Sequence, residues 1–396
     1  MAIFSNMISV FFLVFFVTFA SSDQYDDLTK SINTFSTYFF KELSGEKDYD
    51  GKNIFTSPMT VHIALSLLSC GAQGDTLKDM DNGLNYTNDK TKDSYKKAIQ
   101  DMKNELELTD KVYVQDGQKL NDDFKQKASD IFQSTIESID FSKSGDAANK
   151  MSTWVEDNTG NNVKNFTNSS DVNSQTTVAI VNTLYAKADW QNQFDPSNTK
   201  DEEFYIDNTH QVPVNTMKQQ MNTNYGEDKN LDAKIVQLAL KNNNASMVFI
   251  LPNTKTGLND TEKKLKKTDM KKLVQSLKSE DVLVSLPKFK LNTTANLNEA
   301  LSNLGMSIMF NDKADFSGVM ENSNTQLKVK NVIQKTFIDF NEKGVSESGA
   351  SAPYVVKKFN QKRFAGKEFK ANHPYFFALY NGDDQIVFSG HFTGQD

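Results

Sequence analysis

One cysteine in 396 residues, Cys70, leaves no partner for an internal disulfide, so the chain must be held by its apolar core, which this length can supply. Cys70 sits in the apolar run ALSLLSCGA with no Lys, Arg or His beside it to lower its pKa, which reads as a buried, inert thiol. Prolines number only seven, and no stretch rich in Pro, Gly or Ser and no internal repeat divides the chain, so one body is expected from residue 23 to 396. The four histidines, His62, His210, His373 and His391, include no HExxH motif and no close pair, so no metal site is expected, and His62 in its apolar helix reads as a core residue. Walker, GxSxG and GxGxxG signatures are all missing, which removes nucleotide-binding, hydrolase and dehydrogenase chemistry and leaves no enzyme activity or cofactor to propose. A net charge of −7 argues against nucleic acid as a partner, because phosphate contacts need a basic footprint. Beyond residue 22 there is no apolar run of the ~20 residues needed to cross a bilayer, so no membrane contact is expected.

What the sequence does contain begins with Met1 to Ser22, an apolar core from Ile8 to Phe19 followed by small residues and then by DQYDDLTK. That is the pattern of a signal peptide cleaved after Ser22, or after Ala20, and it predicts a secreted, extracellular protein. Sequons at Asn85, Asn165, Asn168, Asn244, Asn259 and Asn292 agree with a secretory route. The composition, 24% charged and 38% hydrophobic, is that of an ordinary globular protein.

Periodicity predicts an amphipathic helix from Asp26 to Glu46, a short strand at Asn53 to Pro58, and a helix apolar nearly all round, MTVHIALSLLSC, with Ser57 as N-cap and Pro58 in its first turn. Thr76 is placed as the cap of a further helix, and short helices follow at Ser94 to Leu106, Asp122 to Phe132 and Ala147 to Asn158. Strands are expected at KVYVQ, Thr176 to Ala188, KIVQLAL, SMVFILP, VLVSLPKFKL as one piece, and Gln326 to Phe340. The chain ends in a hairpin about Asn381-Gly382. Asn296 to Phe310 reads as a helix, and Trp154 and Trp190 as buried anchors. Helices crowd the first half and strands the second, an α+β plan. Between two strong strands, residues 342 to 369 are small, polar and basic with no period of their own, and a loop of that length is usually functional.

In order along the chain, Asn53 to Pro58, Asn182 to Trp190 with Phe194, Ser246 to Pro252, Leu286 to Lys290, Leu304-Gly305 with Ala314 to Gly318, His373 to Phe377 and Phe388 to Gly390 resemble the successive motifs of the serpin family, with Ala186 in place of the usual aromatic. The resemblance covers the whole chain after residue 22. It implies about nine helices around three β-sheets, an exposed reactive-centre loop at about 342 to 369, a monomer, and inhibition of a serine protease. The cut loop inserts as a new strand into the largest sheet while the protease is still held as a covalent acyl complex.

By the same resemblance Glu342, Lys343, Gly344, Val345, Ser346 and Glu347 form the hinge, and the family's spacing puts the scissile bond at Lys358-Phe359. Arg363, which follows Lys362, ranks second and Lys357 third. A lysine at the cut implies a trypsin-like target with a carboxylate in its primary pocket. Insertion from Gly344 to Lys358 at ~3.3 Å per residue carries the protease on the order of 50 Å. Strand parity puts Val345, Glu347, Gly349, Ser351 and Pro353 on one face, the face the family turns inward. A carboxylate at Glu347 and a missing N–H at Pro353 oppose insertion and keep open a non-inhibitory serpin, a carrier, storage protein or protease substrate. The basic run Glu262 to Lys278 reads as one amphipathic helix. Its charges read as a solvated face, with a heparin-like polyanion as the alternative partner.

Overall fold

The computed structural model describes residues 25–86, 94–103, 107–117, 119–158, 164, 166–174, 176–185, 188–241, 244–321, 327–345, 366–382 and 384–395. The expected leader 1–22, Asn165, and residues 346–365 with Ser346, Glu347, Pro353, Lys357, Lys358, Phe359 and Arg363 lie outside them.

Nine α-helices form among the described residues. They are α1 (25–44), α2 (Pro58–Ser69), α3 (Gly74–Gly83), α4 (Tyr95–Lys103), α5 (Asp122–Asp130), α6 (Ser144–Asn158), α7 (Leu258–Leu265), α8 (Met270–Gln275) and α9 (Asn298–Asn303). Leu28, Ile32, Phe35, Phe39 and Leu43 make the buried stripe of α1. Helix α2 is buried at all twelve positions, which is why it is apolar all round, and Ser57 Oγ accepts from Thr60 N at its start.

The central sheet runs β3 (Thr135–Ile139), β2 (Glu107–Gln115), β4 (Val178–Tyr185), β12 (Val329–Phe340), with β11 (Phe289–Asn296) on the far side of β12. Its middle pair, β4 and β12, is parallel over eight residue pairs from Val178↔Val329 to Tyr185↔Phe337. Above that seam two short strands, β5 (Ala188–Asp189) and β13 (Gly344–Val345), pair antiparallel.

The remaining strands form one continuous ladder because β7 (Gln211–Asp228) is eighteen residues long and serves two sets. Its first part pairs with β6 (Lys200–Tyr205), and it runs on along β10 (Lys278–Pro287), which carries β14 (Lys367–Lys370) at its outer edge. Its last residues pair with β8 (Ala233–Ala239), followed by β9 (Ser246–Pro252), β15 (Tyr375–Tyr380), β16 (Ile386–Phe392) and β1 (Ile54–Thr56). Strands β9, β15 and β16 are buried at every position and are correspondingly apolar without alternation.

Several expectations change. VLVSLPKFKL is not one strand: β10 ends at Pro287, which has no N–H to continue a ladder, and Phe289 starts β11 in the other sheet. The helix expected from Asn296 to Phe310 stops after Asn303, with Gly305 at φ 94° ending it. Thr76 lies inside α3, whose N-cap is Gln73, and its Oγ1 instead accepts from Asp315 N at 2.9 Å. Glu262 to Lys278 is broken into α7 and α8, both short, where Asp269 caps the second by accepting from Lys272 N. Cys70 and Trp154 are only partly buried. The described parts of residues 342–369 include strand β13 at the start and strand β14 at the end.

Candidate functional site

Strand β12 rises beside β4, passes its end, and turns back through Asn341, Glu342 and Lys343 into β13. Because β4 and β12 are parallel, a strand lying between them must run antiparallel to both. Strand β13 is already antiparallel to β12 through Phe340↔Val345 and to β5 through Gly344↔Asp189 and Val345↔Ala188. The first two residues after the turn therefore occupy the top of a slot whose remainder is closed by direct β4–β12 pairing.

The turn is tightly bound. Trp190 N donates to the Lys343 carbonyl at 2.7 Å, Trp190 Nε1 to the Asn341 carbonyl at 2.9 Å, and Phe194 N to the Glu342 carbonyl at 3.0 Å. Within the turn, Lys343 N donates to Asn341 Oδ1 at 3.0 Å, and Asn341 N and Gly344 N bond each other's carbonyls. Gly344 is required here: its φ is 154°, and a Cβ would lie 2.1 Å from the Ala188 carbonyl oxygen and 2.7 Å from Asp189 Cα. Val345 is fully buried, so its parity is the inward one.

Two ion pairs tie the turn and the end of β12 to the start of β11, from Lys288 just before that strand and Lys290 within it. Lys288 Nζ meets Glu342 Oε2 at 2.9 Å while Thr199 Oγ1 donates to Glu342 Oε1 at 2.8 Å, and Lys290 Nζ meets Asp339 Oδ2 at 2.6 Å. Burial opposes the charge on Glu342, but the bonds from Lys288 and Thr199 outweigh it and hold the carboxyl below its ordinary pKa. Trp190, 1% exposed, packs edge-on against Phe340 and Phe194 beneath.

Lower on the seam, the buried face of β12 carries a polar residue. Gln334 Oε1 accepts from Thr56 Oγ1 at 2.5 Å and from Ser57 N at 3.0 Å, and its Nε2 donates to the Ser57 carbonyl and to Thr60 Oγ1. Thr336 Oγ1 donates to the Phe55 carbonyl at 2.6 Å. These bonds tie β12 to the start of α2, the element that underlies the sheet. On the outer face, α6 covers the same seam through a separate small core that includes Val155, Met151, Ala179 and Val181, with Ile333 and Phe337 packed against it. Opening the seam therefore exchanges contacts on both faces.

Of the predicted hinge, Glu342, Lys343, Gly344 and Val345 are brought together at this turn. Sequence reasoning missed Gln334, Asp339, Lys288 and Thr199; the amide of Gln334, on the buried parity of β12 between Val332 and Thr336, was the available signal. Of the seven lysines in the polyanion candidate Glu262 to Lys278, four meet carboxylates: Lys263 with Asp260, Lys266 with Glu42, Lys272 with Asp269, and Lys271 with Asp26 and Asp384. Asn168, Asn244, Asn259 and Asn292 are exposed, and Asn85, at φ 57°, is half-buried. Among the described residues no group of three or more His, Cys, Asp or Glu is placed to hold a metal ion, and no helix is long and apolar enough to cross a membrane.

The family model described as "Serpin (serine protease inhibitor)" matches residues 30–394. This chain is a serpin. Antichymotrypsin-2 of Bombyx mori is 32% identical over 91% of the chain and 96% of the relative, and antitrypsin of the same moth is 32% identical over 91% and 92%. The crystal structure of Serpin48 from Tenebrio molitor superposes with a TM-score of 0.83 at 30% identity, covering 94% of this serpin and 99% of the other. In this serpin β4 and β12 pair directly with each other below Val345.

Proposed function

We propose that this serpin is secreted, acts as a monomer, and inhibits a trypsin-like serine protease as a suicide substrate cut at Lys358-Phe359. The observation that carries the reading is β13: a two-residue antiparallel start of a strand, wedged above a parallel seam that nothing yet separates. Nicking the loop frees its end to extend that start downward, replacing one parallel seam by two antiparallel ones. The protease, joined as an acyl-enzyme to Lys358, travels with the strand before water can release it. Two relatives at the same 32% identity are named for chymotrypsin and for trypsin, so the choice of a trypsin-like target rests on Lys358 itself. A heparin-like polyanion is left out of the proposal, since four of the seven lysines from Glu262 to Lys278 already meet carboxylates.

One observation favours a second reading. With Val345 fully buried, a strand continued from it would turn Glu347 to the same inward face, and a carboxylate entering the seam costs several kcal/mol unless it protonates or is paired. If that cost stalls insertion, the protein is a non-inhibitory serpin that proteases simply cut. Incubation with trypsin separates the two: a complex that survives boiling in detergent supports inhibition, and clean cleavage without complex supports the second reading. N-terminal sequencing of the released fragment fixes the cut, with Phe359 expected first; a fragment starting after Arg363 or Lys357 moves the site.

A further inference from the structure

Helix α6 lies across the seam between β4 and β12, so a strand inserted there must part the helix from one side or the other. The widening is one strand spacing, about 4.8 Å. In the small core beneath α6, Tyr113 of β2, Ile139 of β3 and Val181 of β4 are buried, whereas Ile333 and Phe337 of β12 are only partly buried.

Charged contacts lean the same way. Glu137 Oε2 of β3 meets Lys111 Nζ of β2 at 2.5 Å, and Glu137 Oε1 meets Lys150 Nζ of α6. The Lys111 side chain, only 12% exposed, also places its Nζ 5.2 Å from the ring centroid of Trp154 on α6. Burial opposes the charge on Glu137, but the two lysines outweigh it and hold the carboxyl below its ordinary pKa. Towards β12 the helix has the longer-range attraction of Glu156 for Lys335. Hydrogen bonds from Lys335 to the Lys164 carbonyl and from Asn331 to the Asp171 carbonyl hold the segment that follows α6.

We propose that Glu137 is a positioning residue for loop insertion: clamped by Lys111 and Lys150, it fastens α6 to β2 and β3, so the helix stays with those strands and leaves Ile333 and Phe337 when β4 and β12 part. The proposal rests on the insertion reading given above. A carboxylate gripped from two elements fixes where the helix sits, which apolar contact, being non-directional, does not.

The test measures distances between spin labels in the full chain, carrying Cys70→Ser and Thr153→Cys on α6 with either Thr135→Cys on β3 or Thr294→Cys on β11, before and after trypsin nicks the loop. All three threonines are exposed. On nicking, the distance from 153 to 294 should grow by most of one strand spacing while that from 153 to 135 holds. Glu137→Gln keeps the size of the side chain and loses its charge. In that variant the distance from 153 to 135 should lengthen or broaden on nicking, and the fraction of trypsin trapped should fall several-fold. Growth from 153 to 135 in the original protein, with or without growth from 153 to 294, overturns the proposal alone. A Glu137→Gln protein whose distances and trapping match the original removes Glu137 from the role. If neither distance changes on nicking, the seam has not opened, and the proposal falls together with the insertion reading.

Discussion

Replacing Val345 by arginine tests whether the two-residue strand β13 is where insertion begins. The valine is fully buried between β12 and β5, so the change forfeits about 1.5–2 kcal/mol of apolar burial. It also asks a guanidinium to leave water with no carboxylate inside the seam, which adds several kcal/mol. In the intact protein the short strand swings outward and the change is tolerated, because only the Val345↔Phe340 and Val345↔Ala188 pairings are lost. During insertion the cost is unavoidable. If half of a total near 5 kcal/mol is felt at the barrier, insertion slows roughly 60-fold, since each 1.4 kcal/mol is tenfold in rate. The acyl-enzyme then hydrolyses first. Stoichiometric titration with trypsin, read on denaturing gels, should show the detergent-stable complex replaced by cut serpin and free protease. Lys343→Ala serves as the control, because the bond to Trp190 is made by the Lys343 carbonyl, which alanine keeps. Undiminished complex with the Val345→Arg variant would refute the placement of the entry point.

Three further outcomes follow from buried polar groups. Gln334→Ala removes four hydrogen bonds that tie β12 to the start of α2 and strands their partners, so denaturant unfolding should show a loss of about 3 kcal/mol, and a loss under 1 kcal/mol would contradict the role given to it. His62 is pushed down to about 4 by burial, against the opposing hydrogen bond to the Leu84 carbonyl. Its stability contribution is therefore complete above an unfolded pKa near 6.5 and falls by about 3 kcal/mol as pH drops toward 4, and His62→Gln should flatten that limb of a stability-against-pH curve. Glu46 is raised to about 7 by partial burial and by the neighbouring Glu299, so the folded state favours its neutral form and loses stability as pH rises from 4.5 through 7. Allowing for solvent screening, Glu46→Gln should stabilise by about 1 kcal/mol at pH 8 and not at pH 4.5, and a gain equal at both pH values would remove the electrostatic explanation.

Periodicity identified the elements best where one face decides the pattern. The stripe of α1, the all-round apolar α2 and the long alternation of β12 are each legible because burial is uniform along the element. Elements misread were those ended by a single backbone event: Pro287 divides an apparent strand between two sheets, and Gly305 stops a helix its apolar spacing would continue. At the site, Gly344 was visible in the family's hinge pattern, but its reason, a 2.1 Å approach to the Ala188 carbonyl, depends on residues 156 positions away in sequence. The clamps, Lys288 to Glu342 in the turn and Lys290 to Asp339 in β12, join this end of the sheet to the start of β11, whose register no local pattern fixes. Only topology reveals that β4 and β12 are parallel neighbours, the relation on which the proposed insertion depends.

The most direct test compares thermal unfolding of the intact serpin with that of the same protein nicked in its loop by trypsin and left unreduced in length elsewhere. Insertion turns one seam of eight residue pairs into two, and at about 1 kcal/mol net per added hydrogen bond the melting temperature should rise by roughly 10 °C or more. A nicked protein that melts where the intact one does has left its loop outside, and the account of a closed slot waiting for a strand is then wrong.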